Sequence, residues 1–329
     1  MYGIDIKEDE LLAIGGGILE TLLLDRATGD NIIWATDDYA ERGEGFGFHD
    51  KITTTRVTGS NGIIIQPRVV KTRKDQVDRT KNMAEVFTPS WVCNSMANLF
   101  DKTWFGRENV FNVENPSMQT WTPTTEHVVF PEGKTWKDYV SMNYLEFTCG
   151  EAPFLVSRYD TVSGAMIPIE RRIGVLDRKL RIVKENVHTD EEWLLWTQIA
   201  FKATYGYEWQ GDNLLLARES LLATFADYYE NRFKSEPPVR DLAFIAYVIS
   251  WNLWQMDGLK CVIPRSCHEE TIVKNGLFES KTETHPCQGC EKHDYHRHNG
   301  IYSLIRSWAP TDKLYCEEGE TGRFVDTRK

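Results

Sequence analysis

Apolar positions recur every three to four residues along several stretches of this chain, and short apolar runs stand between them. Near the start, Leu11, Leu12, Ile18, Leu19, Leu22 and Leu23 make a helical pattern interrupted by Gly15, Gly16 and Gly17, and NIIWAT at residues 31–36 predicts a strand. The triple glycine predicts a turn, because no Gly-Lys-Ser/Thr follows it to cradle a phosphate. KITTTRV and IIIQPRVV flank TGSNG, a combination that predicts a hairpin. Further on, SWVCNSMANLF predicts a helix with Ser90 as N-cap and Val92, Met96, Leu99 and Phe100 on its apolar face. YLEFT reads as a strand, RIGVLDRKLRIVKEN as strand then helix, EEWLLWTQIAFKA as an amphipathic helix and TYGYEW as a strand. DNLLLARESLLATFADYY is a long helix, and PPVRDLAFIAYVISWNLWQMDGLK is a helix or strand that ends near Asp257. Strands alternating with helices predict an α/β fold, a parallel sheet with helices on both faces. Beyond Cys261 the periodicity fades into a polar tail rich in Cys and His. These changes divide the chain into a small α+β unit at 1–81, an α/β core at 82–260 and the tail at 261–329.

Composition narrows the setting. At 329 residues and 41% hydrophobic, the chain can bury one large core or two smaller ones. No apolar run reaches the ~18 residues of a membrane span, and the first residues are acidic where an export signal would be basic. A cytoplasmic protein without membrane contact is therefore expected. Seven cysteines, an odd number, then read as reduced thiols or metal ligands. The formal charge of -11 excludes DNA binding driven by overall charge, so any DNA contact must be local or shared with a partner. The one conspicuous basic segment, residues 67–81, carries Arg68, Lys71, Arg73, Lys74, Arg79 and Lys81.

In YLEFTCGEAPFL an apolar run ends at Glu146 and turns through Cys149, Gly150, Glu151, Ala152 and Pro153. A strand ending in an acid before a small-residue turn is how an α/β sheet presents its carboxyl edge to a nucleotide-like ligand. Four segments, in order, resemble adenine-N6 DNA methyltransferases, especially modification subunits of restriction systems. AEVFTPSWVCNSM is similar to their Phe-Thr-Pro segment, and LEFTCGEAPFL to their first cofactor motif. YGYEWQGDNLLLARESLL is similar to the second motif and SWNLWQMDGL to the third, so the likeness runs from about Ala84 to Leu259. The resemblance implies a Rossmann-like sheet and S-adenosylmethionine as methyl donor. It places Phe87, Thr88 and Pro89 on the methionine side, Cys149 and Gly150 in the turn, and Glu146 or Glu151 at the cationic amino-acid end. Glu208 takes the ribose hydroxyls, with Asp177 as a rival because IGVLD also ends in an acid, and Asp257 accepts the adenine amino group. Trp209 and Trp254 are candidates to stack on the adenine or to fill core.

Two departures stand out. The family holds its target base with an Asn/Asp/Ser-Pro-Pro-aromatic segment, which is absent after Asp257, leaving Tyr302, Ser307 and Trp308 as the local candidates. In the first motif Phe147 stands where Pro is usual, and Ala152 replaces the second glycine, which would push a methyl toward the cofactor. The tail offers a second chemistry. Cys287 and Cys290 form a Cys-x2-Cys pair that Cys267 and one of His293, His296 or His298, with His293 placed first, would complete as a closed, structural zinc site. The expected function is methyl transfer to a flipped adenine within a restriction or phage-defence system. Its alternatives are a non-catalytic scaffold acting with a nuclease or specificity partner, and a zinc-stabilised nucleic-acid-binding protein.

Overall fold

A computed structural model of the chain describes residues 3–71, 88–275 and 280–328. Phe87 and the basic residues from Arg73 to Lys81 lie outside the described residues. Helices Glu8–Ile14 and Ile18–Leu23 bracket a turn through the three glycines, as their pattern predicts. The predicted hairpin around TGSNG is not formed. Thr54–Val57 is a turn of α-helix and Gly59–Asn61 a turn of 3-10 helix, because Val57 is buried and the Asp9 carboxylate accepts the Gly59 N–H. Of NIIWAT, only Asn31 belongs to a ladder, in a two-residue pairing of Leu24–Asp25 with Asp30–Asn31.

Helix α1 (Ser90–Phe105) is present, but it buries a different face from the apolar one. Met96 and Leu99 are 55% and 66% exposed, while Cys93, Asn94, Ala97, Asp101 and Phe105 point inward. Polar residues can face the core here because they are paired. The Arg178 guanidinium donates to Asn94 Oδ1 at 2.9 Å and forms an ion pair with Asp101, whose other oxygen accepts the Tyr139 hydroxyl at 2.6 Å. Ser90 is the first helical residue rather than the cap, a position that Pro89 takes.

The fold is mixed α/β. Its central sheet has three parallel strands, β1 (Tyr144–Glu146), β2 (Thr204–Glu208) and β3 (Leu253–Gln255), in the order β1-β2-β3. Helices α2 (Val175–Asn186) and α3 (Asp190–Lys202) connect β1 to β2, and α4 (Gly211–Phe233) and α5 (Val239–Asn252) connect β2 to β3. Among the described residues the other pairings are two-stranded, so the parallel sheet expected from the alternation has three strands, and the Rossmann-like sheet that the resemblance implies is not established by it. IGVLD contributes no strand. Asp177 lies in the first turn of α2, where its Oδ2 accepts from the Ser157 N–H (2.8 Å), the Ser157 hydroxyl (3.0 Å) and the Gly174 N–H (3.2 Å).

The two faces of the sheet are covered differently. Side chains alternate along a strand, so Tyr144, Gly206 and Leu253 face the main core, where α4 and α5 pack on β2 and β3. Leu145, Tyr205, Tyr207 and Trp254 face the other way, and there the tail covers them rather than a second helical layer. Tyr302, Ile305 and Trp308 on and just before strand β6 (Leu304–Trp308), and Phe324 and Val325 from the turn after its hairpin partner β7 (Gly319–Arg323), lie against that face. Two other tail strands, β4 (Glu270–Asn275) and β5 (Ser280–His285), form a separate hairpin.

The amino edge of the sheet is closed by the protein itself. Buried Lys179 donates to the Met142 and Ala203 carbonyls at 2.6 and 2.9 Å, and Asn252 donates to those of Phe201, Lys202 and Thr204. Buried Arg218 ties α4 to the Leu253, Leu22 and Leu24 carbonyls, fastening the N-terminal helices to β3. These donors meet carbonyls that would otherwise be buried without partners.

Candidate functional sites

The carboxyl edge carries Glu146 at the end of β1, Glu208 at the end of β2 and Asp257 two residues beyond β3. After β1 the chain turns through three left-handed residues, Thr148, Gly150 and Ala152. Their conformation turns the Gly150 N–H toward Glu208, whose Oε2 accepts it at 2.9 Å. Glu208 Oε1 accepts from the Gln210 N–H at 3.3 Å. Burial pushes the Glu208 carboxyl up, and these backbone amides offset that only in part. A Cβ built on Gly150 would meet nothing within 4 Å, so the turn faces open space. Glu146 is half-buried; burial pushes its carboxyl up to about 7, against the Tyr144 hydroxyl, which donates to it at 3.4 Å. Phe147, next in the chain, is 64% exposed with its ring 5.7 Å from that of Tyr207.

Other residues assigned to the pocket are turned to internal work. Glu151 is buried and accepts the Arg68 N–H at 2.7 Å and the Tyr159 hydroxyl at 2.8 Å, so it holds the N-terminal unit. Cys149 is buried against Gly206, where an added Cβ would meet its Sγ at 3.2 Å. The Ala152 methyl lies in the main core, not toward the edge. Asp257 Oδ1 accepts the Leu259 and Lys260 N–H groups and shapes the turn after β3. Thr88 accepts through its carbonyl from the Thr161 hydroxyl at 3.1 Å, and Pro89 caps α1. The three candidates for holding a base are likewise engaged or distant. Trp308 donates to Asn252 Oδ1 at 2.8 Å, at the amino end of the sheet, and Ser307 is exposed on β6. The Tyr302 hydroxyl accepts the His298 N–H and donates to the Tyr295 carbonyl. Trp254 is core, while Trp209 donates to the Ala35 carbonyl at 3.0 Å.

Sequence reasoning missed that residues 33–35 cross the ends of β2 and β3. Gln255 exchanges two hydrogen bonds with the backbone of Ile33, at 2.9 and 2.8 Å, and the Gly211 N–H donates to the Trp34 carbonyl. A Cβ on Gly211 would come within 2.0 Å of the Ile33 carbonyl oxygen, so the glycine of WQGDN is the one local trace of this crossing. A cavity of about 400 Å³ opens elsewhere, beside α2 between Phe111, Trp121, Arg172, Arg178 and Arg181, and Glu146, Glu208 and Asp257 do not line it.

In the tail, Cys267, Cys287, Cys290 and His298 bring one ligand atom each within 4.8 Å of one another. The three sulfurs lie 3.5, 3.6 and 3.7 Å from His298 Nδ1. Bonds of about 2.3 Å to sulfur and 2.0–2.1 Å to nitrogen at tetrahedral angles give S···N edges of about 3.6 Å, so the donors have the separations of a zinc centre. The group could hold a metal such as zinc. His298, not His293, is its histidine. His293 sits in a left-handed position ending the short helix Gln288–Lys292 and is not in the group. Two glycines make room for the cluster: a Cβ on Gly289 would meet His298 Nδ1 at 2.6 Å, and one on Gly300 the Cys267 Sγ at 3.1 Å. Burial raises the Cys287 thiol, but N–H groups of Asn299, Cys290 and Gly289 together with His298 outweigh it and bring its pKa down to about 6. Cys267 is pushed up to about 12 by burial and by the neighbouring thiols Cys287 and Cys290. A cation at the centre would relieve that repulsion.

No family model, curated protein or solved structure matches the chain. No helix among the described residues is long and apolar enough to cross a membrane.

Proposed function

We propose that the chain is an adenine-N6 DNA methyltransferase-like modification subunit that binds S-adenosylmethionine at the carboxyl edge of its three-stranded sheet and carries a structural zinc in its tail. The observation that supports this most is the Gly150 N–H on Glu208, which puts the turn after β1 and the acid of β2 in one place, with Glu146 on the same edge. When bound, the cofactor supplies an electrophilic methyl on a sulfonium. Glu208, whose oxygens accept the Gly150 and Gln210 amides, would also hold the ribose hydroxyls, and Glu146 would hold the ammonium end. A Cys3His donor set would supply all four ligands of a tetrahedral zinc and leave no position for water, so the ion would serve structure. DNA meets the chain locally, through the basic segment or a specificity or nuclease partner.

Calorimetric titration with S-adenosylhomocysteine tests the cofactor reading: binding in the micromolar range is expected, and none at millimolar ligand would overturn it. A scaffold reading comes second, favoured by the engagement of Tyr302 and Trp308 elsewhere. Labelled methyl groups reaching DNA would exclude the scaffold; cofactor binding without transfer, with partners present, would establish it.

A further inference from the structure

We infer that the metal in the tail also governs the sheet edge: the zinc centre is the fastening that holds the second face of the sheet, so metal occupancy and cofactor binding are linked. The inference rests on the cofactor and zinc readings proposed above.

The apolar cluster on that face is shared. Tyr205, Tyr207, Trp254 and Met256 come from the sheet and the residues following it; Cys261, Tyr302, Ile305, Phe324 and Val325 come from the tail. Neither side covers itself. Outside the hairpins and the short helix Gln288–Lys292, most of the tail between Cys261 and Tyr302 is loop. The ligands span this stretch, Cys267 and His298 being 31 residues apart, with the β4–β5 hairpin between Cys267 and Cys287. A metal would close this long loop, adding to the hydrogen bonds that join its ends, from Asn299 to His268 and Glu270 and from Ile301 to Ser266.

Closure is transmitted to the edge through a short run of hydrogen bonds. The His298 N–H donates to the Tyr302 hydroxyl at 2.9 Å, and Tyr302 bridges to Val262, which pairs with Asp257. Beside it, the fully buried Ser303 receives nothing from solvent: its N–H donates to the Cys261 carbonyl at 3.1 Å and its hydroxyl to the Gln255 carbonyl at 3.1 Å. Gln255 in turn holds Ile33 and the Trp209 carbonyl, and the next residue, Met256, donates its N–H to the Glu208 carbonyl at 2.9 Å. Glu208 is the acid that holds the Gly150 turn. Loss of the metal releases Tyr302 and Ser303, uncovers Tyr207 and Trp254, and loosens the backbone of the residue assigned to the ribose. By linkage, cofactor binding must tighten the metal by the same factor.

The test uses the full chain, loaded with zinc, stripped by chelator and reloaded. Stripping is expected to speed amide exchange in β2 and β3 at least tenfold, to shift tryptophan emission to the red and to weaken S-adenosylhomocysteine at least tenfold, all reversed by zinc. His293→Ala is expected to keep metal and behave as the parent. Unchanged exchange and unchanged affinity after verified metal loss would overturn the inference. If S-adenosylhomocysteine binds neither form, the cofactor reading fails separately and the exchange data alone decide whether the metal fastens the sheet. Cys290→Ser is expected to behave like the stripped parent, and if it does not accumulate as folded protein, the stripped parent gives the answer.

Discussion

The tail centre and the sheet edge differ in what they leave undone. In the tail, three cysteines and a histidine converge, and their donor atoms have the separations of a tetrahedral metal centre. At the sheet edge the acids already have partners: Glu208 holds two amides, Glu151 holds Arg68 and Tyr159, and Asp257 holds its own turn. Such a donor set is recognisable from residue type and spacing because coordination lengths are rigid. The acids at the sheet edge already serve structure, so any ligand there would have to share them.

The comparison can be broken most severely in the tail. Cys290→Ser should abolish zinc retention, measured by metal analysis, and lower the melting temperature more than any single change at the sheet edge. Structural zinc supplies on the order of 10–16 kcal/mol in small modules. If instead the variant melts like the parent, the cluster is no metal site. Next comes Glu208→Ala, which strands the Gly150 and Gln210 amides; about 1–3 kcal/mol of stability should be lost for each that stays buried, read by denaturant unfolding. Glu208→Gln should recover much of that stability while leaving S-adenosylhomocysteine weak, which separates the structural task from the binding one.

A smaller effect follows from pH. The Glu146 carboxyl, raised by burial to about 7, binds its proton more tightly in the folded chain than in the unfolded one. Its contribution to stability is complete below the ordinary carboxylate range and is lost as pH rises through about 7. Ligand affinity should run the other way, since an ammonium prefers the ionised carboxylate: about tenfold tighter S-adenosylhomocysteine at pH 8 than at pH 6. Glu146→Gln should flatten that profile, and an unchanged slope would remove Glu146 from the site. Smallest of all, Tyr302→Phe deletes the acceptor of the His298 N–H and should cost about 1 kcal/mol with zinc retained.

Much of the fold is legible in the sequence. Tyr144–Glu146 and Thr204–Glu208 announced themselves as apolar runs ending in acids, and the long helix Gly211–Phe233 by its continuous apolar content. Cys267, Cys287 and Cys290 were identifiable because few residue types bind zinc and their spacing is suggestive. The histidine was not: three lay within reach, and only the close approach permitted by Gly289 distinguishes His298. Helix α1 misled for a different reason. Periodicity counts apolar side chains, while the buried face of α1 is set by Arg178 reaching Asn94 and Asp101 from another helix. Asp177 looks like a strand-end acid in the sequence, yet it sits in the first turn of α2, where it accepts the N–H groups of Ser157 and of the N-cap Gly174.

Elements whose cause is local follow from the residues alone: helices with a continuous apolar face, short strands stopped by acids and turns, and a set of side chains of the metal-ligand type. Tertiary structure decided what those elements face. That the tail, not a helix, covers Tyr205, Tyr207 and Trp254, and that residues 33–35 cross the sheet's carboxyl end, depends on hydrogen bonds between residues far apart in the chain, such as Gln255 with Ile33. A side chain's period along the chain reports which way it points, whereas its partner is fixed only when loops close and buried polar groups find one another.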